Sequence, residues 1–177
     1  ATERIFLAPI KMTAVPEIVD IVLPMEGVFH NLVIVKIKKD YPGQALKVMN
    51  SLWGAGQMMF TKMMIVVDGE VNIHNNAEVA QYISENVNPE TDFVFSQGPT
   101  DVLDHSCSTM AFGGKMGIDG TRKTEEELAM STMQEAISKG QEAIRIEKEN
   151  LKTIFPEIND INTSLLNLGV SLVFISV

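Results

Sequence analysis

The chain has 177 residues, of which 45% are hydrophobic and 21% are charged, so it is long enough for one globular domain with a sizeable core. Its formal net charge of −9 at pH 7 argues against nucleic acid or an anionic membrane surface as a partner, because both require a basic face. The single cysteine, Cys107, excludes an internal disulfide bond and is typical of a reducing compartment, so we expect a cytoplasmic protein.

Both ends of the sequence suggest a piece of a larger protein. The first residues, ATERIFLAPIKM, do not begin with Met and lack the charged and apolar regions of a signal peptide. The last residues, LVFISV, have the composition of a strand. No apolar run is long enough to cross a bilayer, so the sequence predicts no transmembrane segment.

Strands and helices alternate along the first part of the chain. A short helix or irregular arm over 3–14 precedes strands at 18–23 and 32–37, the second apolar enough to be buried on both faces. An amphipathic helix over 45–52 ends near Gly54 or Gly56 and leads to a strand at 63–67. Asn76 is the expected N-cap of a helix that ends before Pro89, and a strand follows at 92–96. This order predicts an α/β layered sandwich with a mixed, partly parallel sheet.

Residues 98–123 show neither the period of a strand nor that of a helix. Irregular segments of this length are usually functional or disordered. Apolar residues argue against disorder here: Val102, Leu103, Met110, Phe112, Met116 and Ile118. We therefore expect an ordered loop packed over the domain.

A long helix is predicted after this segment. Thr124 and Glu127 have the spacing of a capping box, and Met130, Met133 and Ile137 continue an apolar stripe through a helix that ends near residue 150. The expected organisation is an α/β domain over 1–125, a long helix over 126–150 and one or more tail strands over 151–177.

The tail resembles an earlier stretch of the same chain. Residues 15–37 and 155–177 align without a gap, and seven of the 23 positions are identical. The identical pairs are Pro16/Pro156, Glu17/Glu157, Ile18/Ile158, Asp20/Asp160, Ile21/Ile161, Leu32/Leu172 and Val33/Val173. Either the tail begins a second copy of the domain, or it is a C-terminal strand that completes the first sheet.

Three residues of the 98–123 segment could carry chemistry. Asp101, Asp104 and His105 could form an acid–base or metal site, but a metal needs three or four converging ligands, and His30 and His74 are distant in sequence. Asp and His in loops more often act as turn or capping residues, which is the favoured interpretation.

Two further features of this segment allow a functional and a structural interpretation. Cys107 could be a nucleophile, although a packed, inert thiol is favoured because only His105 lies near enough in sequence to lower its pKa. The stretch GGKMGIDG at 113–120 could cradle an anion with Lys115, although a glycine-rich turn with positive φ is favoured. The residues alone therefore show no active site.

Several motifs carry a resemblance to a known family. LDHS, GGKMGID and TRK follow one another within 103–123, after SLWGAGQMMFTK at 51–62 and VVDGEVNIHNNAEV at 66–79. Together with ATERIFL and the segment 16–49, they resemble the C-terminal domain of UbiD-family decarboxylases over about residues 1–125. These enzymes remove CO2 from aromatic or α,β-unsaturated acids with prenylated FMN. The sequence is most similar to the quinone-biosynthesis branch, which acts on a polyprenyl 4-hydroxybenzoate or a related naphthoate.

The resemblance implies a supporting role for this domain. In the family, a preceding split-barrel domain binds prenylated FMN and a divalent metal and supplies the catalytic Arg and an E-G-P-x-G-E motif. None of those motifs occurs here, so no catalytic, cofactor-binding or metal residue is expected in this chain. The family's C-terminal domain walls the substrate pocket and supports homo-oligomer contacts. The candidate wall residues, each of which could equally be packing, are Phe29, His30, Met59, Phe60, Thr100, Asp101 and Val102. A non-catalytic assembly module is the alternative.

Overall fold

The computed structural model describes residues 2–28, 30–154, 156–157, 160–162 and 174–176. Phe29, one of the wall candidates, lies outside the described residues. The chain divides into two compact units, Ala1–Thr124 and Glu125–Val177.

The first unit is built on a mixed sheet of five strands within its described residues. Its strands are β1 (Ile18–Val22), β2 (Leu32–Ile37), β3 (Met63–Asp68), β4 (Phe93–Pro99) and β5 (Phe112–Asp119). Its helices are α1 (Thr2–Thr13), α2 (Gln44–Trp53) and α3 (Asn76–Asn86), with 3-10 helices at Met25–Gly27 and Gly56–Phe60. The strand order is β1-β2-β3-β5-β4, in which β2, β3 and β5 are parallel and the outer strands β1 and β4 are antiparallel to their neighbours. The predicted α/β fold with a partly parallel sheet is confirmed.

The sheet is covered on both faces because its central strands are apolar on both. Val35 and Val66 face a core that also contains Met49 and Leu52 of α2 and Ile10 of α1. The opposite face packs a second core beneath α3, formed by Ile34, Val67, Val71, Ile73 and Val79. Parallel strands are usually covered on both faces, and here α2 lies over one face and α3 over the other.

The prediction of one long loop over 98–123 is wrong, because residues 112–119 form the inner strand β5. The glycines of β5 interrupt the alternation of apolar and polar side chains from which a strand is recognised in a sequence. A Cβ atom at Gly117 would lie 2.5 Å from Sδ of Met49, and one at Gly113 would lie 2.4 Å from Sγ of Cys107. Neither glycine has a positive φ, so the predicted glycine turn is also wrong. These glycines permit close packing rather than an unusual backbone conformation.

Other element boundaries differ by one or a few residues. The N-cap of α3 is Asn75 rather than Asn76, and its side chain accepts hydrogen bonds from the backbone N–H groups of Ala77 and Glu78. The arm over 3–14 is a regular helix. The amphipathic helix α2 ends at Trp53, in agreement with its prediction.

The second unit begins with the long helix α4 (Glu125–Ile154), which continues four residues past its predicted end near 150. Strands β6 (Asp160–Asn162) and β7 (Phe174–Ser176) follow and pair antiparallel. Among the described residues, no helix combines the length and the apolar character needed to cross a membrane.

Candidate functional site

The wall candidates that the structure describes lie at one edge of the five-stranded sheet. We call this the N-terminal edge, because β2, β3 and β5 all begin there. His30 precedes β2, and Met59 and Phe60 precede β3. Thr100–Val102 follow β4, which runs antiparallel to β5 and therefore ends at the same edge. Topology thus brings together residues that are up to 72 positions apart in sequence.

The wall candidates differ in how far their side chains are exposed. His30, Met59, Phe60 and Asp101 are half-buried, and Val102 is 66% exposed. Thr100 is fully buried, and its hydroxyl lies 3.7 Å from Sγ of Cys107. The side chain of Thr100 therefore packs beneath the loop, whereas Val102 lies on its outer surface.

A buried lysine ties the segment before β3 to β5. Lys115 is 4% exposed, and its Nζ donates hydrogen bonds to the carbonyl oxygens of Met59 and Thr61, the latter at 2.8 Å. The absence of a side chain at Gly98 leaves room for its stem, since a Cβ there would lie 3.0 Å from Cε of Lys115. Burial lowers the pKa of Lys115 to about 8. Because its ammonium group already binds two carbonyls, Lys115 is not arranged to cradle an anion.

A second lysine fixes the loop between β4 and β5. Lys62 binds both carboxylate oxygens of Asp104, at 2.9 and 3.2 Å, and contacts the hydroxyl of Ser106. Hydrogen bonds from Ser106 and Lys62 hold the pKa of Asp104 well below its usual range. The thiol of Cys107 lies 3.5 Å from the same carboxylate. Asp104 is thus an ionised anchor and Cys107 is a packed thiol.

In the part of the chain that the structure describes, Asp101, Asp104 and His105 do not form a metal-binding cluster. Oδ1 of Asp101 accepts a hydrogen bond from the backbone N–H of Leu103, which is a turn interaction, and His105 is exposed. Within the described ranges, no three side chains of His, Cys, Asp or Glu come together as ligands for a metal ion. The structural interpretation of these loop residues therefore fits the geometry.

Sequence analysis missed Lys62, and it considered Lys115 only as an anion ligand rather than as a buried anchor. Each is a single cation beside an apolar strand, Lys62 before MMIVV and Lys115 within FGGKMGI. A charge in such a position must find partners on folding, because an unpaired buried charge is costly. The sequence thus indicates that each lysine needs polar partners, but it does not identify the carbonyls of Met59 and Thr61 as the partners of Lys115.

The opposite edge of the sheet, where the parallel strands end, is closed by paired polar groups. The hydroxyl of Tyr82 donates to Oδ2 of Asp68 at 2.6 Å, and the backbone N–H of Arg122 donates to the same oxygen at 2.7 Å. Nζ of Lys39 donates to the hydroxyl of Thr121 at 3.0 Å. These bonds hold the TRK motif against β3 and the turn after β2.

An open cavity of about 550 Å³ lies away from the wall candidates, between α1, the start of β1 and the turn before α2. Its charged lining residues include two ion pairs, Lys47 with Glu17 at 2.7 Å and Lys38 with Asp40 at 3.5 Å. The cavity and the wall candidates are therefore separate features of the surface.

Comparison with known proteins assigns this chain to a family. A model of the 3-octaprenyl-4-hydroxybenzoate carboxy-lyase C-terminal domain matches residues 1–120. An uncharacterized protein of Archaeoglobus fulgidus is 52% identical over 128 residues, which are 72% of this chain and 26% of that protein. One of Aquifex aeolicus is 49% identical over 127 residues, with the same coverages. The chain thus spans about a quarter of the length of these relatives.

Solved structures show the same fold. The closed form of Sedimentibacter hydroxybenzoicus vanillic acid decarboxylase is 30% identical with a TM-score of 0.61, over 67% of this chain and 25% of that one. The UbiD-class enzyme HmfF of Pelotomaculum thermopropionicum, in complex with FMN, is 23% identical with a TM-score of 0.62, over 70% of this chain and 27% of that one. The expected family is therefore confirmed: the chain belongs to the UbiD family of carboxy-lyases and carries its C-terminal domain.

Proposed function

We propose that this chain serves a UbiD-type carboxy-lyase by walling the pocket in which an aromatic acid loses CO2 without oxidation. The substrate class we propose is a polyprenyl 4-hydroxybenzoate or a related naphthoate. The family description and the similarity to a vanillic acid decarboxylase support an aromatic acid. The observation that carries the proposal is the convergence of the wall candidates on the N-terminal edge.

Prenylated FMN and a divalent metal are proposed to belong to the preceding domain of the intact cytoplasmic enzyme. The described residues do not fit the metal, because they offer no group of three suitable ligands. Both lysines near the wall are occupied by protein acceptors. In such reactions the cofactor supplies the electron sink. The proposed contribution of this chain is to orient the ring and to exclude water.

The proposed wall suits an apolar ring because hydrogen bonds within the protein hold its backbone in place before a substrate binds. Met59 is held through its carbonyl by Lys115, and the loop that carries Val102 is held by the pair of Lys62 and Asp104. The charged groups of these anchors point into the protein, since the side chain of Asp104 is only 4% exposed. Apolar side chains such as Met59 and Val102 remain to meet the ligand.

The test uses the intact enzyme with single substitutions and a matched control. Met59→Ala and Val102→Ala should each lower kcat/KM by about 10-fold or more and alter the preference among ring-substituted acids, since filling an apolar pocket is worth about 1–3 kcal/mol. Met12→Ala removes a side chain of the same chemistry that is 86% exposed on α1. If both wall variants kept the kcat/KM values of Met12→Ala with every acid, the pocket-wall role would be wrong.

A second candidate function, a homo-oligomeric assembly module, is favoured by α4. The helix buries none of its residues, and Met130, Met133 and Ile137 are 50–66% exposed along one stripe. Residues 125–138 contain four glutamates and no basic residue, whereas residues 139–154 contain four basic residues and three glutamates. We propose antiparallel pairing of α4 with a second copy, which would place unlike charges together.

Light scattering after size exclusion can separate the two roles. Met133→Glu with Ile137→Glu should dissociate the assembly, whereas Gln134→Glu with Ser138→Glu adds the same charge at neighbouring exposed positions and should leave it intact. Equal masses for the two double variants would contradict pairing through this stripe. Pocket substitutions would then remain an independent test of the enzymatic role.

A further inference from the structure

The short sheet of the second unit repeats the strand pairing of the first. In the first unit, Asp20 pairs with Lys36 across β1 and β2. In the second, Asp160 pairs with Ser176 across β6 and β7. Both partners are shifted by the same 140 positions. The next two pairs of each ladder keep this shift, with Ile161 opposite Ile175 as Ile21 is opposite Val35.

The segment before each strand pair repeats as well. The hydroxyl of Thr13 donates to the carbonyl of Pro9 at 2.7 Å near the end of α1, and that of Thr153 donates to the carbonyl of Glu149 at 2.9 Å near the end of α4. Turns then cover residues 16–17 and 156–157, where both copies read Pro-Glu. These correspondences also have an offset of 140 positions.

One buried position of the strands matches the repeat. Ile21 and Ile161 are each 2% exposed. A change of register by one residue would turn every side chain to the other face, so register is specific wherever one face is buried. A generic strand pair at the end of the chain could take many registers. A helix end, a turn, a register and a buried position at one common offset indicate a shared origin.

In the first unit, the edge of β2 that faces away from β1 is paired with another strand. β2 pairs in parallel with β3 over six residues, from Leu32 opposite Met63 to Ile37 opposite Asp68. Among the described residues, β7 pairs only with β6. A two-stranded sheet is marginally stable in water, and an open strand edge is a template for further pairing.

We propose that residues 149–176 are a second copy of the unit formed by the end of α1, β1 and β2, and that β7 is the docking edge for a parallel, apolar strand equivalent to β3. The occupant is a strand from a domain of the same α/β fold. It pairs with β7 through backbone hydrogen bonds between parallel strands. The second unit thus repeats a part of the first, and β6 and β7 form a sheet of their own.

Engineered cysteines test the register in the chain as it stands. In a Cys107→Ser background, Asp160→Cys with Ser176→Cys should form a disulfide on mild oxidation, because directly opposed strand residues lie within bonding reach. Both positions are exposed, so neither change removes core packing.

The off-register pair, Asp160→Cys with Ile175→Cys, is the matched control and should stay reduced. Asp20→Cys with Lys36→Cys should form the bond in the first copy. Closure of the off-register pair as readily as the matched pair would overturn the repeat.

The occupant of β7 is tested in the intact protein with a benzophenone amino acid at position 176. We expect a crosslink to an apolar strand that precedes an Asp-Gly turn, as β3 does at residues 68–69. A crosslink to a helix or a loop, or none beyond β6, would overturn the docking edge. Failure here would leave the pocket-wall test unaffected, because that test depends on residues of the first unit alone.

Discussion

The close approach of β5 to α2 makes Gly117 the most informative position for a stability test. It lies opposite Met64 of β3, in the middle of the sheet. A Cβ atom there would lie 2.5 Å from Sδ of Met49 and 3.3 Å from Cη2 of Trp53. Ordinary carbon contacts lie at about 3.5–4.0 Å. Met49 is fully buried, so it has no open space into which to retreat.

Gly117→Ala should therefore lower the free energy of unfolding by about 1–3 kcal/mol, the usual cost of an extra methyl group in a packed core. Gly114→Ala is the matched control on the same strand, where an added Cβ would meet nothing within 4 Å. Neither glycine has a positive φ. The control should thus be stabilised by about 0.4–1 kcal/mol, because alanine restricts the unfolded chain.

Urea unfolding followed by the fluorescence of Trp53, the only tryptophan, measures both variants. With a slope of about 1–3 kcal/mol per molar urea, the two midpoints should differ by roughly 1 M. Met49→Ala should reduce the cost of Gly117→Ala, because side chains in contact give non-additive effects. Equal midpoints for the Gly117 and Gly114 variants would refute the close contact between β5 and α2.

Three further predictions test the local geometry. Asn75→Ala should lower the free energy of unfolding by about 1 kcal/mol because α3 loses its N-cap, whereas Asn76→Ala should change it little. If urea unfolding gave the reverse order, Asn76 would be the N-cap, as the sequence predicts. Asp104→Asn should cost about 1.5–3 kcal/mol at pH 7 through loss of charged hydrogen bonds to Lys62. Because the folded pKa of Asp104 is lowered, this difference should persist above about pH 4 and shrink as the pH falls further, and a difference that grew in acid would contradict the ion pair. Burial and the hydrogen bond to Asp68 raise the pKa of Tyr82 above its ordinary value, so absorbance at alkaline pH should show a late phenolate step that Tyr82→Phe removes.

The alternation of strands and helices was predictable because most elements carry an unbroken apolar period. LVIVKI and the helix with Ala45, Val48 and Leu52 need no tertiary information, and each was placed within one residue. β5 was not predictable in this way. Its sequence, FGGKMGID, places glycine where a strand usually has an apolar side chain, and the missing side chains are supplied in space by Met49 of α2.

The candidate site could be predicted only in part for a similar reason. Resemblance to a family predicts His30 and Val102 as wall residues. They lie at the same edge of the sheet because β5 is parallel to β3, which the sequence alone does not show. The anchors Lys62 and Lys115 act through the carbonyls and the carboxylate of residues 42–56 positions away. A single sequence does not reveal which acceptor such a lysine will meet.

The position of the wall candidates is unusual for a sheet of this kind, and the opposite edge explains it. In open α/β sheets, ligands usually bind beyond the carboxyl ends of the parallel strands. Here that edge is filled, because Asp68 at the end of β3 already accepts from Tyr82 and from the backbone of Arg122. Opening it would leave a buried carboxylate without donors, which costs more than a hydrogen bond returns. At the N-terminal edge, the polar groups of Lys115 and Asp104 are turned inward, so apolar side chains face outward at low cost. The distribution of satisfied polar groups therefore supports the proposed pocket wall at the N-terminal edge rather than at the opposite one.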